Sequence, residues 1–147
     1  MNDDLQLTHL SVGDIPLWVA LLRKLELPGL YDRTIQDHGL HTGLSGGWRL
    51  TLWLVCLLTE GAHTKDKVQD GVARHAALLS HLCERPIHDH EFNDNRLRSL
   101  LARLAVVGRW EKLEAALWQH SLTVYQLLQP SVGGLSSAPC DATTVSG

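Results

Sequence analysis

One stretch narrows the fold more than any other. Residues 48–59 place Trp48, Leu52, Val55 and Cys56 on one helical face, while Leu50, Trp53, Leu54, Leu57 and Leu58 fill most of the remainder. A helix apolar nearly all round is buried nearly all round, so this segment is expected to be the central packing post of a domain. A polar residue in place of Leu54 or Leu57 would then be a severe core mutation. The run is flanked by Arg49 and Glu60 and falls far short of the roughly 20 apolar residues that cross a bilayer, which argues against a membrane protein.

What surrounds the post also reads as helix. Asp14 stands where an N-cap belongs and Pro16 occupies an early-turn position, so Leu17, Leu21, Leu22 and Leu25 predict a first helix over 15–26, ended by Pro28. A second helix over 29–36 turns Leu30 and Ile35 inward, with Gly39 as its left-handed cap. Ser45-Gly46-Gly47 is a turn into the post, and Gly61 closes it. Thr64 can cap a polar helix over 65–83, with a break at Gly71. Asn93 or Asp94 caps a helix carrying Leu97, Leu100, Leu101 and Leu104 inward. After Gly108 a last helix, 109–128, carries Trp110, Leu113, Leu117, Trp118, Leu122, Tyr125 and Leu128, and Pro130 stops it. The prediction is an all-α, multi-helix domain over 1–130.

Composition limits the function classes. The 147 residues are 44% hydrophobic and 20% charged, ordinary for one globular domain and too apolar for disorder. A net charge of −3 and a pI near 6.3 exclude a strongly basic nucleic-acid module, so any such contact must rest on local patches. Cys56, Cys83 and Cys140 are odd in number and never form a CxxC pair, which points away from a disulfide framework or zinc finger and towards a reducing cytoplasm. Met1-Asn2-Asp3-Asp4 lacks the basic start and apolar run of a secretory signal. There is no internal repeat, P-loop, GxGxxG or GxSxG motif.

Two patches are candidates for phosphate contact. The post, a glycine turn and the polar helix after it have the outline of a helix-turn-helix, in which Lys65, Lys67 and Arg74 would meet DNA while Asp66 and Asp70 dilute their charge. Between Asp94 and Lys112, four Arg and one Lys face only Asp94 and Glu111. Arg96, Arg98 and Arg103 lie on the outward side, making this the most basic face in an acidic chain. A solvated arginine face is the plainer alternative. His88-Asp89-His90-Glu91 offers imidazole and carboxylate ligands, yet it reads better as a solvated polar link than as a metal site.

The end of the chain changes character. Residues 131–138 form a Gly/Ser-rich linker without period, after which Thr143, Thr144 and Val145 are β-branched and favour a pleated surface. The tail 131–147 is therefore expected to be a short, truncated β-like segment, with Asp141 at its start either solvated or acting as a metal ligand.

Asp141-Ala142-Thr143-Thr144-Val145-Ser146-Gly147 resembles the neighbourhood of the first catalytic aspartate in bacterial insertion-sequence transposases of the DDE class. Asn93-Asp94-Asn95-Arg96-Leu97, with its leucine-spaced helix, resembles a segment of the helical N-terminal domain found in a group of those enzymes. Asp14-Ile15-Pro16-Leu17 and Leu27-Pro28-Gly29-Leu30 resemble the opening of the same domain. The anchor points span most of the chain. Asn95 departs from the second acid of that pattern, and Cys140 stands where an apolar strand residue is usual.

The resemblance implies an N-terminal helical part of a transposase that helps bind transposon-end DNA or assemble the synaptic complex, with self-association admitted. It implies an RNase H-like catalytic domain in which Asp141 is the first ligand of two Mg2+ or Mn2+ ions. The second Asp and the Glu are not among the 147 residues, and two-metal catalysis needs carboxylates converging on ions roughly 3.5–4 Å apart, so the chain as given is expected to be catalytically incomplete. A non-catalytic helical interaction module and a helix-turn-helix regulator are the alternatives.

Overall fold

The computed structural model describes residues 13–35, 43–61 and 64–127. Among these the chain is all-α: α1 (Ile15–Lys24), α2 (Leu27–Thr34), α3 (Gly46–Glu60), α4 (Lys65–Cys83), a short 3-10 turn (Asp89–Phe92), α5 (Asp94–Leu104) and α6 (Arg109–Val124). The tail 131–147, Asp141 within it, and Gly39 lie outside the described residues.

Local chemistry sets most helix ends. The Ser45 hydroxyl accepts the Trp48 N–H at 3.3 Å and opens α3, while Gly61, in the left-handed region at φ 62°, closes it. Asn93 opens α5 by accepting the Arg96 N–H at 3.0 Å. Asp14 and Thr64 precede their helices but make no side-chain cap. Pro28 sits in the first turn of α2, where its missing N–H costs nothing, and the break before it falls on Glu26 at φ 53°. The expected break at Gly71 is displaced to His75, whose φ of −110° departs from helical values; Gly71 is instead buried against Glu60 and Cys56.

The post is confirmed in its first half and corrected in its second. Gly46 through Leu52 are all buried, including Arg49 and Thr51, because α2 crosses there. A Cβ on Gly47 would overlap the Pro28 carbonyl, and the Gly47 N–H is taken by the Asp32 carboxylate at 2.8 Å. Only glycine permits that approach. Further along, Val55 and Cys56 remain buried, but Leu54, which packs on the edge of the core, and Leu57 are half-buried and Leu58 is exposed.

Two connected clusters form the core. One gathers Ile15, Val19, Leu52, Val55, Val68, Val72, Leu79, Phe92 and Leu97 from α1, α3, α4, the 3-10 turn and α5. The other joins Leu27, Leu30, Tyr31 and Ile35 to Leu50, Leu100, Leu104 and Leu113. Leu17 and Leu101, expected inward, are exposed, because α1 turns Ile15 and Val19 inward and α5 turns Leu97, Leu100 and Leu104 inward, one narrow stripe each. On α6 only Leu113 is buried, and Trp110, Trp118 and, just past the helix end, Tyr125 face solvent.

Candidate nucleic-acid interface

The basic face begins from a buried acid. Phe92 anchors the 3-10 turn in the core and carries Glu91 in with it, so the Glu91 carboxylate meets the buried Arg49 of α3. Its Oε2 accepts from Arg49 Nη2 at 3.1 Å and Nε at 3.4 Å, and from Arg96 Nη1 at 2.7 Å. Removing two charges from water is costly, and here two guanidinium groups on one carboxylate offset that cost. Arg96 is therefore a clamp joining α5 to α3 through Glu91.

The second acid of the segment does the same at the surface. Asp94 accepts Arg98 Nη2 at 2.6 Å, one helical turn on, and meets Lys65 Nζ of α4 at 2.9 Å. The Lys65 hydrogen bond, with Arg98 beside it, holds the Asp94 carboxyl below its ordinary value. Lys65, Arg96 and Arg98 thus come together around Glu91 and Asp94, but as partners of carboxylates. Arg103 is half-buried in the last turn of α5, where a cation suits the helix dipole.

Elsewhere on α4, Arg74 Nη2 reaches Glu60 at 2.8 Å, while Lys67 stands exposed between the exposed Asp66 and Asp70. The helix-turn-helix outline therefore presents alternating rather than one-signed charge. The His88 and His90 rings stack at 5.4 Å, and Glu91, the most promising ligand beside them, is committed to arginine. Among the described residues no group of three His, Cys, Asp or Glu converges as a metal site would require. Burial, then the nearby Glu60, pushes the Cys56 thiol up to about 12, and burial pushes Cys83 up to about 11, so neither supplies thiolate at neutral pH.

Two concave features escaped the sequence reading. A groove of about 330 Å³ runs between α3, α5 and α6, lined by Trp53, Leu54, Leu57, Leu101, Trp110 and Leu117 among others, with Glu114 as the charged residue among its described lining. Its signal was present in α6, which carries more large apolar residues than one buried stripe can use. A smaller pocket of about 260 Å³ lies where α1 meets α2, lined by Arg23, Glu26, Pro28, Gly29, Arg33 and Trp48. Its arginines are spread along the sequence, so no charge run announced it.

No protein family, curated protein or solved structure was found to match this chain. No helix among the described residues is long and apolar enough to cross a membrane.

Proposed function

We propose that the chain is the helical N-terminal part of a DDE-class insertion-sequence transposase, contributing to transposon-end DNA binding or synaptic assembly in DNA transposition. The observation that carries this reading is the order of parts: a helical body through Val124, then Asp141-Ala142-Thr143-Thr144-Val145-Ser146-Gly147. Asn93 acting as the cap of α5, with Leu97, Leu100 and Leu104 turned inward, agrees with the resemblance over that segment. So does the start of α2 at Leu27-Pro28-Gly29.

Asp141 is proposed as the first carboxylate ligand of a Mg2+ or Mn2+ pair, whose remaining ligands would come from beyond residue 147. One carboxylate cannot hold two ions, so the purified 147-residue protein should neither nick end-sequence DNA nor transfer strands in magnesium. Two further acidic motifs in the reading frame after Gly147, continuous or shifted, would support the assignment. Unrelated sequence there, or magnesium-dependent nicking by the 147 residues alone, would overturn it.

A non-catalytic helical interaction module is the second reading, and the apolar groove beside α6 favours it. The two part on nucleic acid. Salt-dependent duplex binding supports the transposase part, whereas self-association without any affinity for duplex supports the module.

A further inference from the structure

The cations on α5 are spoken for, which raises the question of where a phosphate would sit. We propose that the pocket between α1 and α2 holds a backbone phosphate of duplex DNA, with Arg33 as its main contact and Arg23 beside it. This rests on the DNA-binding reading and moves the contact away from α5.

Arg33 folds back along α2 over Gly29, so that a Cβ on that glycine would lie 3.1 Å from Arg33 Nη1. A guanidinium is thereby parked against the first turn of its own helix, the positive end of the dipole, where a cation is disfavoured. Among the described residues lining the pocket the acid is Glu26, 3.7 Å from Arg33 with both side chains more than half exposed, a pair worth little. Arg23 lines the same pocket, using Nη1 to cap the Leu82 carbonyl at 2.7 Å and Nη2 to reach Glu84 at 3.3 Å. Arg85 stacks 4.5 Å above the Trp48 ring and adds a third guanidinium at the rim. Among the described residues that line the pocket, Arg23 and Arg33 face the single acid Glu26, while Asp32 nearby is taken up by the Gly47 N–H and Glu84 by Arg23. An anion would relieve the crowding of positive charge, and the planar fork of arginine suits phosphate oxygens. The pocket is open to solvent and about 260 Å³, room for a phosphate that belongs to a continuing strand.

The test is fluorescence anisotropy of a labelled duplex with the full 147-residue protein, comparing wild type with Arg33→Ala, Arg33→Lys and Arg98→Ala. Circular dichroism checks the fold of each. Arg33→Ala should weaken binding about 5- to 10-fold and lower the salt slope by about one, as loss of one phosphate contact does. Arg33→Lys should retain part of the affinity, and Arg98→Ala should stay within about twofold. Wild-type binding that survives Arg33→Ala would sink the pocket and leave the DNA reading standing; no wild-type binding at all would sink both. Titration with inorganic phosphate forms a separate arm. Phosphate binding that Arg33→Ala abolishes while duplex affinity is untouched would mark a free-anion site and overturn the assignment to DNA.

Discussion

The α5 face and the α1–α2 corner both carry arginine, and they differ in what each guanidinium meets. On α5, Arg96 and Arg98 close on carboxylates at 2.7 and 2.6 Å, and Lys65 shares the second of them. At the corner, Arg33 stands in the last turn of α2 but reaches its guanidinium back over Gly29, where it meets an exposed partner at 3.7 Å. The difference teaches that charge counted along a sequence is not charge available to a ligand. The richest basic run in the chain is largely a fastening, while a pair of arginines ten positions apart forms the more open cationic pocket.

The largest expected effect breaks the fastening at its centre. Glu91→Ala leaves Arg49 buried without its partner and should cost about 3–5 kcal/mol in denaturant unfolding. A loss under about 1 kcal/mol would mean that water reaches Arg49 and that the α5 face is less committed than the geometry implies. Gly29→Ala comes next. Alanine favours the helix, and the 3.1 Å contact is with the flexible end of Arg33, so stability should rise by about 0.5–1 kcal/mol as the guanidinium swings outward. A fall would show that Arg33 is held in place more firmly than its exposure suggests.

Arg33→Ala should change stability by less than about 0.5 kcal/mol, in contrast to Glu91→Ala, because it removes only an exposed pair. The smallest effect belongs to pH. The Asp94 carboxyl is held below its ordinary value when folded, so its contribution is present above the unfolded value near about 3.9 and is lost as pH falls through the lower folded value. Asp94→Asn should remove that part of the acid limb in a titration of stability, leaving the neutral region little changed. An unaltered acid limb would show that Lys65 and Arg98 do not act on Asp94 in solution.

Much of the fold was legible because helix-end chemistry is local. Ser45, Gly61, Asn93 and Gly108 each mark an end that the structure keeps. Inward faces were legible only where one stripe carried the apolar residues, as for Leu97, Leu100 and Leu104. Where a helix was apolar on several sides the pattern overstated burial: Leu54, Leu57 and Leu58 on α3, and Trp110 and Trp118 on α6, are partly or wholly open. Periodicity says which residues share a face and not whether a neighbour covers it. The pairing of Glu91 with Arg49, 42 positions earlier in the chain, depends on how α3 meets the 3-10 turn and left no local trace. Cys56 shows the same limit, since its unreactive thiol follows from burial beside Glu60.

The proposed binding of this helical body to transposon-end DNA would run through the phosphate charge of the duplex. Equilibrium binding of the whole 147-residue protein to an end-sequence duplex, measured across a salt series, addresses it directly. The account predicts that log affinity falls linearly with log salt, by about 0.9 per phosphate contacted. Absence of binding at about 50 mM salt, with the protein folded, would contradict it.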